Sequence, residues 1–154
     1  MVRRNLLFLF VFILSQISIA QNPRKPSSSE IYHDLLKLNF FGTALYVAAH
    51  PDDENTKFIS YLSNALHANT AYLSITRGDG GQNLIGSELG DLLGVIRTDE
   101  LLEARKIDGG EQYFTRAKDF GFSKNPEETF EFWDKEKILE DVVYIIRKLK
   151  PDMI

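Results

Sequence analysis

Ala44-Leu45-Tyr46-Val47-Ala48-Ala49 is a run of six residues with no polar alternation. A strand that buries one face alternates apolar and polar side chains. An unbroken run fits a strand covered on both faces, as in a parallel sheet flanked by helices. The surrounding sequence agrees. Before the run, Ile31, Leu35, Leu36 and Leu38 mark a short amphipathic helix entered at Ser29-Glu30 and ended at Gly42. After it, Phe58, Leu62 and Leu66 form the stripe of a second helix, which gives way near His67-Ala68-Asn69, and Thr70 to Thr76 reads as another strand. Leu92, Leu93, Ile96, Leu101, Ala104 and Ile107 predict a helix from Gly90 to Ile107, followed by a brief strand at Gln112-Tyr113-Phe114. Asn125 as N-cap, Pro126 at N1 and Glu128 at N3 start a further helix. A restart at Asp134 carries the stripe of Ile138, Val142, Ile145 and Leu149, and Pro151 to Ile154 opens one more strand. Strands alternating with helices define an α/β fold with a mostly parallel sheet. A strand opening at the last four residues leads to the expectation that the natural chain continues and that the fold is truncated at its C-terminus.

The first twenty residues read as an export signal rather than as part of the fold. Arg3 and Arg4 form a basic start, Leu6 to Leu14 is an apolar core, and Ser18-Ile19-Ala20 supplies small residues for cleavage before Gln21. The apolar run is shorter than the ~20 residues a membrane span needs, so no stable span is expected after cleavage. The arginine pair hints at twin-arginine export, but the apolar run resembles that of the general pathway. The chain is therefore expected to be periplasmic or secreted. Residues 21–29, rich in proline and serine, read as a linker, and 30–154 as the domain.

Composition removes several classes. There is no cysteine, which excludes disulfide scaffolds, thiolate metal sites, cysteine nucleophiles and lipoprotein anchoring. The net charge is −4, and cleavage after Ala20 takes away two arginines and no acid, so nucleic acid is not an expected partner. An exported chain without disulfides relies on packing, or on packing and a metal.

The chemistry is concentrated in Ala49-His50-Pro51-Asp52-Asp53-Glu54, directly after the first strand. Ligands of open α/β sheets bind beyond the carboxyl ends of the strands. An imidazole and neighbouring carboxylates suit a borderline divalent metal such as zinc, and Pro51 lets His50 and Asp53 face one centre while Asp52 points elsewhere. A catalytic zinc takes three protein ligands and an open position, so this loop supplies two. The alternative is an acidic helix start, with Asp53 and Glu54 in the first turn and Asp52 or Asp53 as N-cap. Glu54 is expected to bond the loop backbone. Arg77 to Gly81, after the second strand, should form part of the site wall, with Gly78, Gly80 and Gly81 permitting close approach of a ligand. Phe130, Phe132 and Trp133 suit core packing, with stacking on a sugar ring as the alternative.

Ala49 to Glu54 resembles the A-H-P-D-D-E signature of the PIG-L/LmbE-like family of zinc-dependent N-acetylglucosamine deacetylases. Arg97-x-x-Glu100-Leu101-x-x-Ala104 resembles the family's R-x-x-E-L-x-x-A helix. The resemblance spans roughly residues 41–154 and implies a Rossmann-like layout, a Zn2+ cofactor and an amino-sugar or glycoconjugate substrate. It implies His50 and Asp53 as metal ligands, Asp52 as general base and Arg97 as a substrate-binding residue. It places the third ligand, a histidine, beyond Ile154, with another histidine there to stabilise the oxyanion. His33 and His67 match no family motif; His67 is expected to be solvated or to cap a helix, and His33 to lie on the surface. The competing expectations are a non-catalytic carbohydrate-binding module and an inactive fragment lacking one ligand.

Overall fold

The apolar runs of the sequence become three parallel strands in the order β1-β2-β3: β1 (Thr43–Ala48), β2 (Asn69–Ser74) and β3 (Glu111–Phe114). The computed structural model describes residues 25–154. The export signal expected at residues 1–20 lies outside the described residues. Contacts divide the chain at Ile31, and residues 32–154 form one compact unit. Register pairs Tyr46 with Tyr72 and Ala48 with Ser74, and Ala71 through Ser74 with Glu111 through Phe114. On the other side of β1, Met153 forms a parallel bridge with Ala44, and the Leu45 amide donates to the Met153 carbonyl at 2.9 Å.

Strand periodicity sends alternate residues to opposite faces. Leu45, Ala71, Leu73 and the partly buried Ile75 and Tyr113 face Ile145, Val142, Ile146 and Leu149 of α5 (Lys135–Leu149). Tyr46, Ala48, Tyr72 and Phe114 pack with Ile59 of α2 (Thr56–Ser60) and Leu101 of α3 (Asp91–Asp108). Helices thus cover both faces, the condition that an uninterrupted apolar strand requires.

The helix boundaries follow from local chemistry. α1 (Ser28–Lys37) starts inside the proline- and serine-rich stretch, because Ser27 and Glu30 exchange side-chain-to-backbone bonds as a capping box. Asn125 caps α4 (Pro126–Phe132) through the Glu128 amide, and Asp134 caps α5 through the Lys137 amide. α2 is shorter than its stripe suggests and widens into a π turn over Tyr61–Ala65, where the Leu66 amide reaches the Tyr61 carbonyl. Ile59, Leu62 and Ser63 are buried there, whereas Phe58 and Leu66 of the expected stripe stay exposed. In α3, Leu93 and Leu101 are buried but Leu92 and Ile107 are exposed, and polar Arg105 and Asp108 take buried positions instead.

Phe130 and Phe132 also differ from expectation. Both stay exposed, and Phe132 and Trp133 clamp Phe120 at the surface rather than entering the core, because α4 buries no residue. His33 and His67 pack edge to face with ring centroids 4.8 Å apart, and the buried His67 Nδ1 has no hydrogen-bond partner; neither ring is simply solvated. Among the described residues no helix is long and apolar enough to cross a membrane.

Candidate active site

The three loops that leave the carboxyl ends of β1, β2 and β3 meet in one cleft. The Thr76 amide and hydroxyl both donate to the Ala49 carbonyl, which ties the β2 loop to the end of β1. Gly80 permits the next approach: a Cβ there would lie 2.5 Å from the Asp119 carbonyl oxygen, so only glycine lets the β2 and β3 loops touch. The resulting cleft, about 320 Å³, includes His50, Asp52, Arg97 and Asp119.

Within the β1 loop, the Asp53 carboxylate turns back on His50. Its Oδ2 accepts from the His50 amide at 2.9 Å and lies 3.4 Å from His50 Nδ1. Two donors bound 2.0–2.1 Å from one tetrahedral ion stand ~3.3 Å apart. This pair therefore fits two corners of a divalent metal site. Among the described residues no group of three histidine or carboxylate side chains forms a candidate metal cluster, so a third ligand is not found among them. The opposite nitrogen, His50 Nε2, faces Asp119 Oδ1 at 3.7 Å. At that distance the carboxylate makes no hydrogen bond to the ring and acts on it through its charge alone.

Asp52 points away from that pair. Its side chain is 75% exposed, and its Oδ2 lies 3.6 Å from Arg97 Nη1. Its φ is +83°, a conformation that costs a non-glycine residue about 1–3 kcal/mol and clusters at functional sites. Arg97, from α3, thus reaches across the cleft to the loop; among the described residues no ion pair joins it to Glu100 or Glu103.

Glu54 turns inward. Its Oε2 accepts from the Asp52 amide at 2.9 Å and its Oε1 accepts from Arg105 Nη2 at 3.1 Å. Arg105 also donates to Asp108 and Gln112, and all three charged side chains are almost completely buried. From beneath, the Tyr72 hydroxyl donates to the His50 carbonyl. Burial, then the carboxylates of Glu54 and Asp53, push the Tyr72 pKa far above its ordinary value, so this donor stays protonated. The acidic-helix-start reading is overturned: Asn55, whose Oδ1 accepts from the Phe58 amide, caps α2.

Tyr72, Arg105 and Asp119 went unread in the sequence. Tyr72 looks like any strand aromatic and Arg105 like any helix-surface arginine. Asp119 lies in a segment with no periodic pattern. Only the strand register and the α3 packing bring them to the loop.

The architecture and the cleft define an α/β protein of the kind that binds its ligand at the carboxyl ends of parallel strands, here with a His-Pro-Asp-Asp loop at the first strand. The chain belongs to the PIG-L family, described as GlcNAc-PI de-N-acetylase, whose model matches residues 45–154. No curated protein sequence matches it. Among solved structures, it is similar to the N,N'-diacetylchitobiose deacetylase of Pyrococcus horikoshii, with a TM-score of 0.54 and 22% identity over 84% of this chain and 49% of that one. It is also similar to the 4-carboxy-2-hydroxymuconate hydratase of Pseudomonas putida, with a TM-score of 0.53 and 19% identity over 71% and 44% of the two chains. The chain spans about half the length of these two structures, and at such identities the likeness is one of fold.

Proposed function

We propose that this chain carries the catalytic loop of an exported, zinc-dependent deacetylase that hydrolyses the N-acetyl group of an N-acetylglucosamine-type sugar or glycoconjugate. The observation that carries the reading is the His50–Asp53 pair at 3.4 Å, with the exposed carboxylate of Asp52 beside it, in a chain of a de-N-acetylase family.

His50 and Asp53 would hold the ion. When bound, a divalent metal supplies Lewis acidity that polarises the acetamide carbonyl and makes a water acidic near neutral pH. Asp52 acts as general base and takes the proton of the attacking water, whose oxygen forms the new bond to the acetyl carbon. The carbon–nitrogen bond then breaks, the nitrogen takes up the proton that Asp52 had accepted, and acetate and the free amine leave. Arg97 neutralises part of the charge on Asp52 and offers donors to substrate hydroxyls. Asp119 places a negative charge beside the opposite edge of the His50 ring. A similar fold carries a hydratase; deacetylation and hydration both need an activated water, and acetate release separates them.

The test is acetate release from N-acetylglucosamine and N,N'-diacetylchitobiose, with metal content measured on the same protein. Asp52→Ala is expected to lower turnover 10²–10⁴-fold, the usual range for a lost general base, while leaving bound zinc unchanged. Turnover indifferent to Asp52→Ala, or to removal of metal, refutes the reading. Sugar binding that survives both, without acetate release, identifies a carbohydrate-binding module instead. Export is supported by the Leu6–Leu14 run and the small residues before Gln21, and a mature protein that does not begin near Gln21 refutes it.

A further inference from the structure

The cleft has an aromatic side chain that the chemistry above does not use. Phe122 lines it with Asp52, Arg97 and Asp119, yet its residue surface is 84% exposed. Among the described residues no aromatic ring pairs with it. The loop beneath it is fastened on every side. The Trp133 indole donates to the Lys118 carbonyl at 2.7 Å, and the Asp119 amide donates to Asp79. Phe120 lies stacked on Phe132, centroids 4.5 Å apart and 14° between planes, with Trp133 edge-on. Asp119 then accepts from the Gly121 amide, and Gly121, at φ +87°, takes a conformation that side-chain-bearing residues rarely adopt. That turn separates a Phe120 packed against α4 from a Phe122 left bare at the cleft.

What sets Phe122 apart is its place in the cleft wall, where an apolar ring beside a few polar groups is the lining a ligand pocket uses. Its neighbours specify the ligand. Carboxylates and a guanidinium beside a flat apolar surface match a pyranose, hydroxyls at its edge and C–H groups on its face. We propose that Phe122 is the stacking platform that sets the preference of this cleft for an N-acetylated pyranose ring over an acyclic acetamide; the inference rests on the deacetylase reading of the same cleft.

The experiment compares wild type, Phe122→Ala and Phe122→Trp on N-acetylglucosamine and on N-acetylethanolamine, an acyclic acetamide. It uses KM and kcat from acetate release and affinity from ligand-observed NMR. Phe122→Ala is expected to raise KM for the sugar about tenfold, the ratio equivalent to the ~1.4 kcal/mol of an aromatic stacking contact. Its kcat stays within twofold, Phe122→Trp keeps the wild-type KM, and the acyclic probe is unaffected by either change. Sugar binding that weakens in Phe122→Ala without any acetate release upholds the platform and sinks the deacetylase reading. Acetate release with a KM unchanged in Phe122→Ala overturns the platform and leaves the deacetylase standing. Equal losses on both probes, or no sugar binding by the wild type, overturn the platform as well.

Discussion

Replacing Glu54 tests whether the buried charges hold the site loop. Glu54 Oε1 and Oε2 are both committed, to Arg105 and to the Asp52 amide, and Glu54 and Arg105 are each 4% exposed. Glu54→Ala strands the Asp52 amide and leaves Arg105, whose Nε already lacks a partner, with Asp108 and Gln112. Removing one member of a buried ion pair costs about 3–5 kcal/mol, against the ~5–15 kcal/mol by which a domain of this size is stable. With a urea m-value of about 2 kcal/mol/M, the midpoint should fall by roughly 1.5–2.5 M, read by circular dichroism. Glu54→Gln keeps the shape but turns an amide donor on either Arg105 or the Asp52 N–H, so a smaller loss of about 2 kcal/mol is expected. Zinc affinity should fall with stability, by about 10–100-fold, because the Asp52 amide positions the backbone between the two proposed ligands. A loss below about 1 kcal/mol in Glu54→Ala, with zinc affinity unchanged, would show that Arg105 is satisfied without Glu54 and that the network does not hold the loop.

Gly80→Ala places a methyl group 2.5 Å from the Asp119 carbonyl, and backbone has to move to admit it. Overpacking of this kind costs about 1–3 kcal/mol, and here the shift should also raise KM, measured beside the urea midpoint; an unchanged KM counts against a shared wall between the β2 and β3 loops. At the start of the β3 loop, Arg116 donates to Asp141 through Nε, Nη2 and its backbone amide. The Arg116 side-chain hydrogen bonds hold the Asp141 pKa below its usual value. A carboxylate depressed in the folded state binds fewer protons there than when unfolded, so its stabilisation is present above the ordinary carboxylate pKa of about 4 and lost as pH falls through the folded value. Asp141→Asn should therefore melt below wild type at pH 7, with the gap narrowing as pH falls below the ordinary carboxylate pKa; a gap that does not change as pH falls refutes the assignment.

The parts of the fold that were legible in the sequence are those whose physics is local. The β1 run is apolar throughout because helices cover both its faces, and Asn125 and Asp134 cap helices with their own side chains, so each could be read from a few adjacent residues. His50, Asp52 and Asp53 were legible for the same reason, being neighbours in one loop. What was not legible depends on register and packing between distant segments. Tyr72 reaches the His50 carbonyl because Tyr46 pairs with Tyr72 two residues before β1 ends. Arg105 sits where a stripe argument puts a solvated face, and is buried because Glu54 and Asp108 neutralise it. The aromatic run of α4 reads as core, but its rings instead clamp the β3 loop through Phe120.

Local and long-range contacts here share one task, which explains why so much buried polarity lies under so small a loop. Asp52 is held at φ +83°, and a strained residue persists only where its surroundings leave it no cheaper conformation. The restraints come from three directions: Glu54 on the Asp52 amide, Asp53 on the His50 amide, and Tyr72 on the His50 carbonyl. Each acts on backbone rather than on the reactive side-chain atoms, so the loop is fixed while His50 Nδ1 and the Asp52 carboxylate keep free valences for an ion, a water or a substrate. The strain at Asp52 and the burial of Arg105 are thus two sides of one arrangement. The turn that separates the proposed base from the proposed ligands is unfavourable by itself, and the charge network anchored in α3 offsets it.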